Sequence, residues 1–178
     1  MARGVSEYLR KAWRKPEELE AYRSRLIEWR KSKAIERVER PLRLDRAHAL
    51  GYKAKKGFVV ARVRLSRGGR KRPKIRKGRR SKRQTIRKTL MMNYKWVAEI
   101  RAEKRFRNLV VLNSYLIGDD GKNYFFEVIM VDPNRPEIKA DKDINWVCSE
   151  KGRAARGLTS AARKSRGLRA KGQRRMKR

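Results

Sequence analysis

Four carboxylates, Asp119, Asp120, Glu127 and Asp132, crowd one short stretch of the chain, and clustered oxygens of this kind can hold a magnesium ion for hydrolytic chemistry. Their spacing points elsewhere. Asp119 and Asp120 stand between Gly118 and Gly121, where turns favour Asp, Asp132 precedes Pro133 at a strand end, and Glu127 lacks the Lys two residues on that a restriction-type nuclease uses. Cys148 and His48 are each the only residue of their kind, which rules out an intramolecular disulfide, a usual four-ligand zinc site and a Ser-His or Cys-His couple. Cys148 reads as a small packed hydrophobe and His48 as an ordinary helix or turn residue. Gly68-Gly69 matches neither Gly-x-Gly-x-x-Gly nor Gly-x4-Gly-Lys-Ser/Thr, so it is no nucleotide phosphate loop. No catalytic residue, metal or cofactor is expected.

The chemistry that remains is charge. The chain holds 53 Lys and Arg against 18 Asp and Glu, for a net charge of +35 in 178 residues. Eleven of the eighteen residues from Ser66 to Arg83 are cations and none is acidic; from Lys151 to Arg178 there are twelve cations and again no acid. A stretch with this charge and only Ile75 as an aliphatic side chain buries too little apolar area to offset the entropy of ordering it. The counter-charge must come from outside, and a polyanion would supply both screening and shape. Arg67, Arg70, Lys71, Arg72, Lys74 and Arg76 of this arm are therefore candidate contacts.

The framework that must carry these limbs reads as α+β. Val5, Tyr8, Leu9, Ala12 and Trp13 fall at helical spacing, which predicts a helix over about 4–14. A second helix is expected from Pro16, with Glu17, Glu18 and Glu20 at its positive end, to about Val38. Residues 40–57 read as irregular, with turns at Gly51 and Gly57. Phe58 to Leu65 alternates as a strand and is expected near a sheet edge, with Val59, Ala61, Val63 and Leu65 on one face. A helix follows over about 88–106, with Met91 and Met92 as core filler. The runs NLVVLNSYLIG and NYFFEVIMVDP predict an antiparallel hairpin covered by helices on both faces, closed by a short helical turn through Ile144, Trp146 and Val147. The expected organisation is one globular domain over 1–150, including the loop at about 66–88, then a basic tail over 151–178.

Cations in glycine-punctuated segments suit irregular RNA, whose phosphates approach from several directions, better than a duplex read by a regular helix. Two other readings stay open on the residues alone. One is a chromatin-like DNA-binding protein; the other is an RNA-processing enzyme built on the acids. A membrane partner is disfavoured, because no run approaches a membrane span and the cations lack an apolar face to insert.

Three blocks, RPLRLDRAHALGYKAKKGFVVARVRLSRGGRKRP, LVVLNSYLIGDDGKNYFFEVIMVDP and RGLTSAARKSRGL, closely resemble the e-type family numbered fifteen among archaeal and eukaryotic ribosomal proteins of the large subunit. Their order and the N-terminal helix also fit, and the short tail and KADKDINWVC resemble archaeal members. The resemblance implies a small antiparallel sheet packed between helices, long basic extensions threaded through large-subunit ribosomal RNA, neighbouring ribosomal proteins as further partners, a cytoplasmic place in the ribosome, and no enzymatic activity or small-molecule substrate. By matched motif it implies RNA contacts at Lys53, Lys55 and Lys56, at Arg67 to Arg72, and at Arg156, Thr159, Ser160, Arg163, Lys164, Ser165 and Arg166.

Overall fold

The computed structural model describes residues 4–69 and 90–169. Its centre is a four-stranded antiparallel sheet in the order β1-β2-β4-β3, built from β1 (Ile35–Val38), β2 (Phe58–Ser66), β3 (Val110–Asp119) and β4 (Asn123–Val131). The helices are α1 (Val5–Ala12), α2 (Glu20–Lys31), α3 (Leu44–Ala49), α4 (Tyr94–Arg105), α5 (Pro136–Lys139) and α6 (Ser160–Ser165). Single 3-10 turns occupy Pro16–Glu18 and Asn145–Ser149. This is the expected α+β class.

The two apolar runs form the expected hairpin. Asp120 closes it, accepting from the backbone N–H groups of Lys122 at 2.9 Å and Asn123 at 2.5 Å, while Arg30 reaches its other oxygen at 2.8 Å. Alternation then sorts the sheet's side chains into two layers. Ala61, Val63, Leu65, Phe126, Val128 and Met130 face Ala98 and Ala102 of α4, whereas Phe125, Ile129, Tyr115 and Ile117 pack with Trp29 of α2 and Ala47 of α3. Helices cover both faces.

Five expectations are corrected. The second helix stops at Lys31, where Ser32 Oγ donates to Trp29 O at 3.0 Å, and Ile35–Val38 instead pairs with β2. That pairing moves β2 inside the sheet, with β4 on its other side. The edge belongs to β1, whose Glu36 and Arg37 suit an exposed margin. Residues 44–49 form α3 with Asp45 and Ala47 buried, where irregular chain was expected. The helix expected from about residue 88 begins at Tyr94, so Met91 and Met92 precede it and are exposed, Met91 by 77%. Trp146 also lies on the surface, under the Arg153 guanidinium at 4.6 Å, and the closing contact is made by Ile144 and Val147.

One turn requires its glycine. Gly57 has φ +96°, and a Cβ there would stand 2.6 Å from Ile138, which is fully buried.

Candidate nucleic-acid interface

The candidate interface centres on the first turn of α4. Asn93 caps that helix, its Oδ1 accepting from Trp96 N at 2.8 Å, which satisfies one of the otherwise unpaired N–H groups of the first turn. The same side chain donates through Nδ2 to Ala161 O at 2.8 Å, and the Asn93 backbone N–H donates to Ser165 Oγ at 3.2 Å. Tyr94 works in the other direction. Its hydroxyl accepts from Gly68 N at 3.0 Å and donates to Gly68 O at 3.1 Å, both groups turned toward it by a φ of +104°. Arg67 lies over the Tyr124 ring at 4.8 Å, and Tyr124 in turn packs on Tyr94 with centroids 4.8 Å apart. The base of the arm and the helix of the tail, far apart in sequence, therefore meet on either side of two consecutive residues.

The tail is held there by bonds to the body. Glu103 accepts from Ala154 N at 3.1 Å and Ala155 N at 2.9 Å, Trp96 Nε1 donates to Ala154 O at 2.7 Å, and Arg153 Nη1 donates to Val111 O at 2.9 Å. Thr159 caps α6 and donates to the buried carboxylate of Glu99, which also accepts from Ser114 Oγ at 2.5 Å. Burial pushes the Glu99 carboxyl above its usual range, against the pull of those two hydroxyls. Ala154, Thr159 and Ala162 are fully buried, so at least the part of the tail through α6 is integral to the packed body.

The residues expected at the interface fall into three groups. Arg67, Gly68, Gly69, Ser160, Arg163, Lys164 and Ser165 lie around the α4 turn or on α6, and neither Arg163 nor Lys164 has an acidic partner among the described residues. A second group is engaged within the protein. Lys53 binds Asp141 at 3.0 Å and Asp143 at 3.4 Å, and Lys55 binds Asp141 and Glu137 O, so Lys55 and Lys53 together hold the Asp141 carboxyl far below its usual range. Arg156 pairs with Glu150, Arg166 donates to Gly157 O at 3.2 Å, and Thr159 has no exposed surface. Lys56 stays exposed in a shallow cleft of about 470 Å³ beside Arg37 and Arg135. The third group, Arg70, Lys71, Arg72, Lys74 and Arg76, lies outside the described residues, as does the expectation that the arm orders only on a polyanion.

Sequence reasoning missed Arg46, Lys95 and Arg169, which with Lys164 line a cleft of about 610 Å³ walled by Tyr124 and Leu116. A signal existed in Asn93, a preferred capping residue immediately before an apolar periodic run. Among the described residues no group of three His, Cys, Asp or Glu side chains is placed to hold a metal, and no helix is long and apolar enough to cross a membrane.

Fold and surface together define a class: a small basic α+β protein that gathers its cations where its glycine-rich segments converge, a surface suited to polyphosphate. The model of the family described as Ribosomal L15, of the L15e type, matches residues 4–178. A relative from the archaeon Methanocella arvoryzae, large ribosomal subunit protein eL15, is 46% identical over 178 residues, covering 97% of this chain and 91% of its own. The chain belongs to the ribosomal L15 family.

Proposed function

We propose that this chain, as a ribosomal protein of the large subunit working in the cytoplasmic ribosome, supports translation by binding and stabilising folded ribosomal RNA through its basic loop and the outer face of α6. The role is structural rather than enzymatic. Neighbouring large-subunit proteins are further partners, and no small-molecule substrate is needed. The observation that carries this reading is the convergence of Arg67–Gly69 and Ser160–Ser165 on the first turn of α4. Arg163 and Lys164 are exposed there with no acidic partner among the described residues, and Arg67 has only Asp119 at 3.9 Å, so phosphates supply the missing counter-charge. Arg70, Lys71, Arg72, Lys74 and Arg76 continue that charge along the arm, while Lys53, Lys55, Arg156 and Arg166 contribute by fixing the chain around it.

Each phosphate neutralised releases counterions, so log affinity falls by about 0.7 to 0.9 per phosphate for each tenfold rise in salt. Binding of the full chain to large-subunit ribosomal RNA, measured from low to moderate salt beside a duplex DNA of equal length, is expected to show a steep slope and a preference for the RNA. An RNA affinity indifferent to salt, or an equal affinity for the DNA, would overturn the reading.

A further inference from the structure

The cleft between α3, the first turn of α4, α6 and the sheet surface has a charge pattern that the packing of the protein does not explain. Arg46, Lys95, Lys164 and Arg169 line it, and no acidic side chain does. Lys95 is half-buried, yet among the described residues it makes no hydrogen bond or ion pair. Burial lowers the pKa of its ammonium, and the positive charges of Arg46, Lys164 and Arg43 lower it further, with only Glu99 opposing them. The acids on the packed elements are already engaged: Glu99 accepts from Ser114 and Thr159, and Asp45 lies 3.6 Å from Arg43. Arg169 is held at the rim, its Nη2 donating to Ser160 Oγ at 2.6 Å. Folding thus pushes like charges together around a water-accessible hollow, an arrangement that an anion in the hollow would relieve.

The opposite wall is of another kind. Leu116 and Tyr124 line it beside the amide of Asn113, with buried Phe126 behind them and Arg67 already over one face of the Tyr124 ring at 4.8 Å. An inorganic anion would have no use for such a wall, but a nucleobase stacks on an aromatic ring and pairs its edge with an amide. About 610 Å³ lies within the range of sites that enclose a small ligand.

We propose that this cleft receives one unstacked nucleotide of the bound RNA, its phosphate among Lys95, Lys164, Arg46 and Arg169 and its base against Tyr124 and Leu116. The inference rests on the RNA-binding reading and gives it a specific pocket.

Replacing the two lysines tests it. In the full chain, Lys95→Gln with Lys164→Gln is expected to weaken binding to large-subunit ribosomal RNA at least tenfold and to reduce the salt slope by about 0.7 to 0.9, the share of the one phosphate the cleft holds. The same variant is expected to melt at a higher temperature when free, because it removes repulsion; a merely structural pair would lower both quantities. A photo-crosslinking residue at Asn113 should capture a single RNA position in the complex. Unchanged affinity and slope, with wild-type binding still steeply salt-dependent, would sink the pocket and leave RNA binding standing. Wild-type binding without a salt slope would remove the broader reading instead. Crosslinks from Asn113 to an acidic protein in assembled subunits, and none to RNA, would also overturn the proposal.

Discussion

Glu99 is fully buried in a protein rich in cations, and among the described residues it makes no ion pair. It binds two hydroxyls instead, Ser114 from β3 and Thr159 from the cap of α6, and so joins three segments at one carboxyl. Burial raises its pKa, so the folded state holds the proton more tightly than the unfolded chain. The stabilising contribution is then complete below the ordinary value of 4.5 and is lost as pH rises through the folded value. Glu99→Gln keeps the shape without the titration. Urea unfolding at several pH values is expected to show the variant gaining on the wild type from about pH 4.5 toward neutrality, and a flat or opposite trend would contradict this. Glu99→Ala leaves two buried hydroxyls unpaired and should lose about 2 to 4 kcal/mol. Asp120 behaves in the opposite sense. Burial alone would raise its pKa, but bonds from Asn123, Arg30 and Lys122 N hold it down at about 2, so its contribution is present above the usual 3.8 and vanishes as pH falls through about 2.

At the scale of elements, Asn93 ties α6 to α4 beside the Thr159–Glu99 bond. One side chain caps α4 and binds Ala161 O, and its backbone binds Ser165. Asn93→Ala is expected to cost about 1 kcal/mol from the lost cap, with a further loss from the freed Ala161 carbonyl. Asn93→Asp retains the cap acceptor and loses only the donor. Hydrogen exchange should separate them: α6 amides speed up in both variants, α4 first-turn amides only in the alanine one. Equal protection of α6 in all three proteins would show that the helix is held by something else. Why the sequence concealed this region is a matter of range. The strand pattern of β2 and the hairpin of β3 and β4 are local and dense, so alternation and turn residues reveal them. β1 is four residues, Ile35 to Val38, whose pairing with Val60 to Val63 leaves no periodic trace, and reading it as helix pushed β2 to an edge it does not occupy. α3 was hidden for a related reason, since its buried Asp45 breaks the apolar stripe that marks a helix.

For the molecule as a whole, charge density marked the two basic segments, but the place where they meet was not legible. It is made by bonds from Asn93 and Tyr94 to groups far away in the chain, and Lys95 passes unnoticed between Tyr94 and Trp96. Through α6 the chain is part of the fold: Thr159 satisfies Glu99, Ala154 accepts from Trp96, Glu103 caps Ala154 and Ala155, and Ala161 and Ala162 are buried. Beyond Arg169 the sequence adds Lys171, Arg174, Arg175, Lys177 and Arg178, cations with no acid among them. Two truncations should then differ in kind. A chain ending at Arg169 is expected to keep its stability within about 0.5 kcal/mol, and to lose about 3.5 to 4.5 from its salt slope on ribosomal RNA if each of the five cations neutralises one phosphate. A chain ending at Glu150 exposes Trp96, leaves its Nε1 without Ala154 O and removes Thr159 from buried Glu99, at about 1 to 3 kcal/mol for each buried group left unpaired, a large part of the roughly 5 to 15 kcal/mol that holds a domain folded. Thermal unfolding of the two, read beside their RNA affinities, checks the division. If both truncated chains melt alike, α6 is not a structural element; if the shorter cut leaves the salt slope untouched, the terminal cations meet no phosphate.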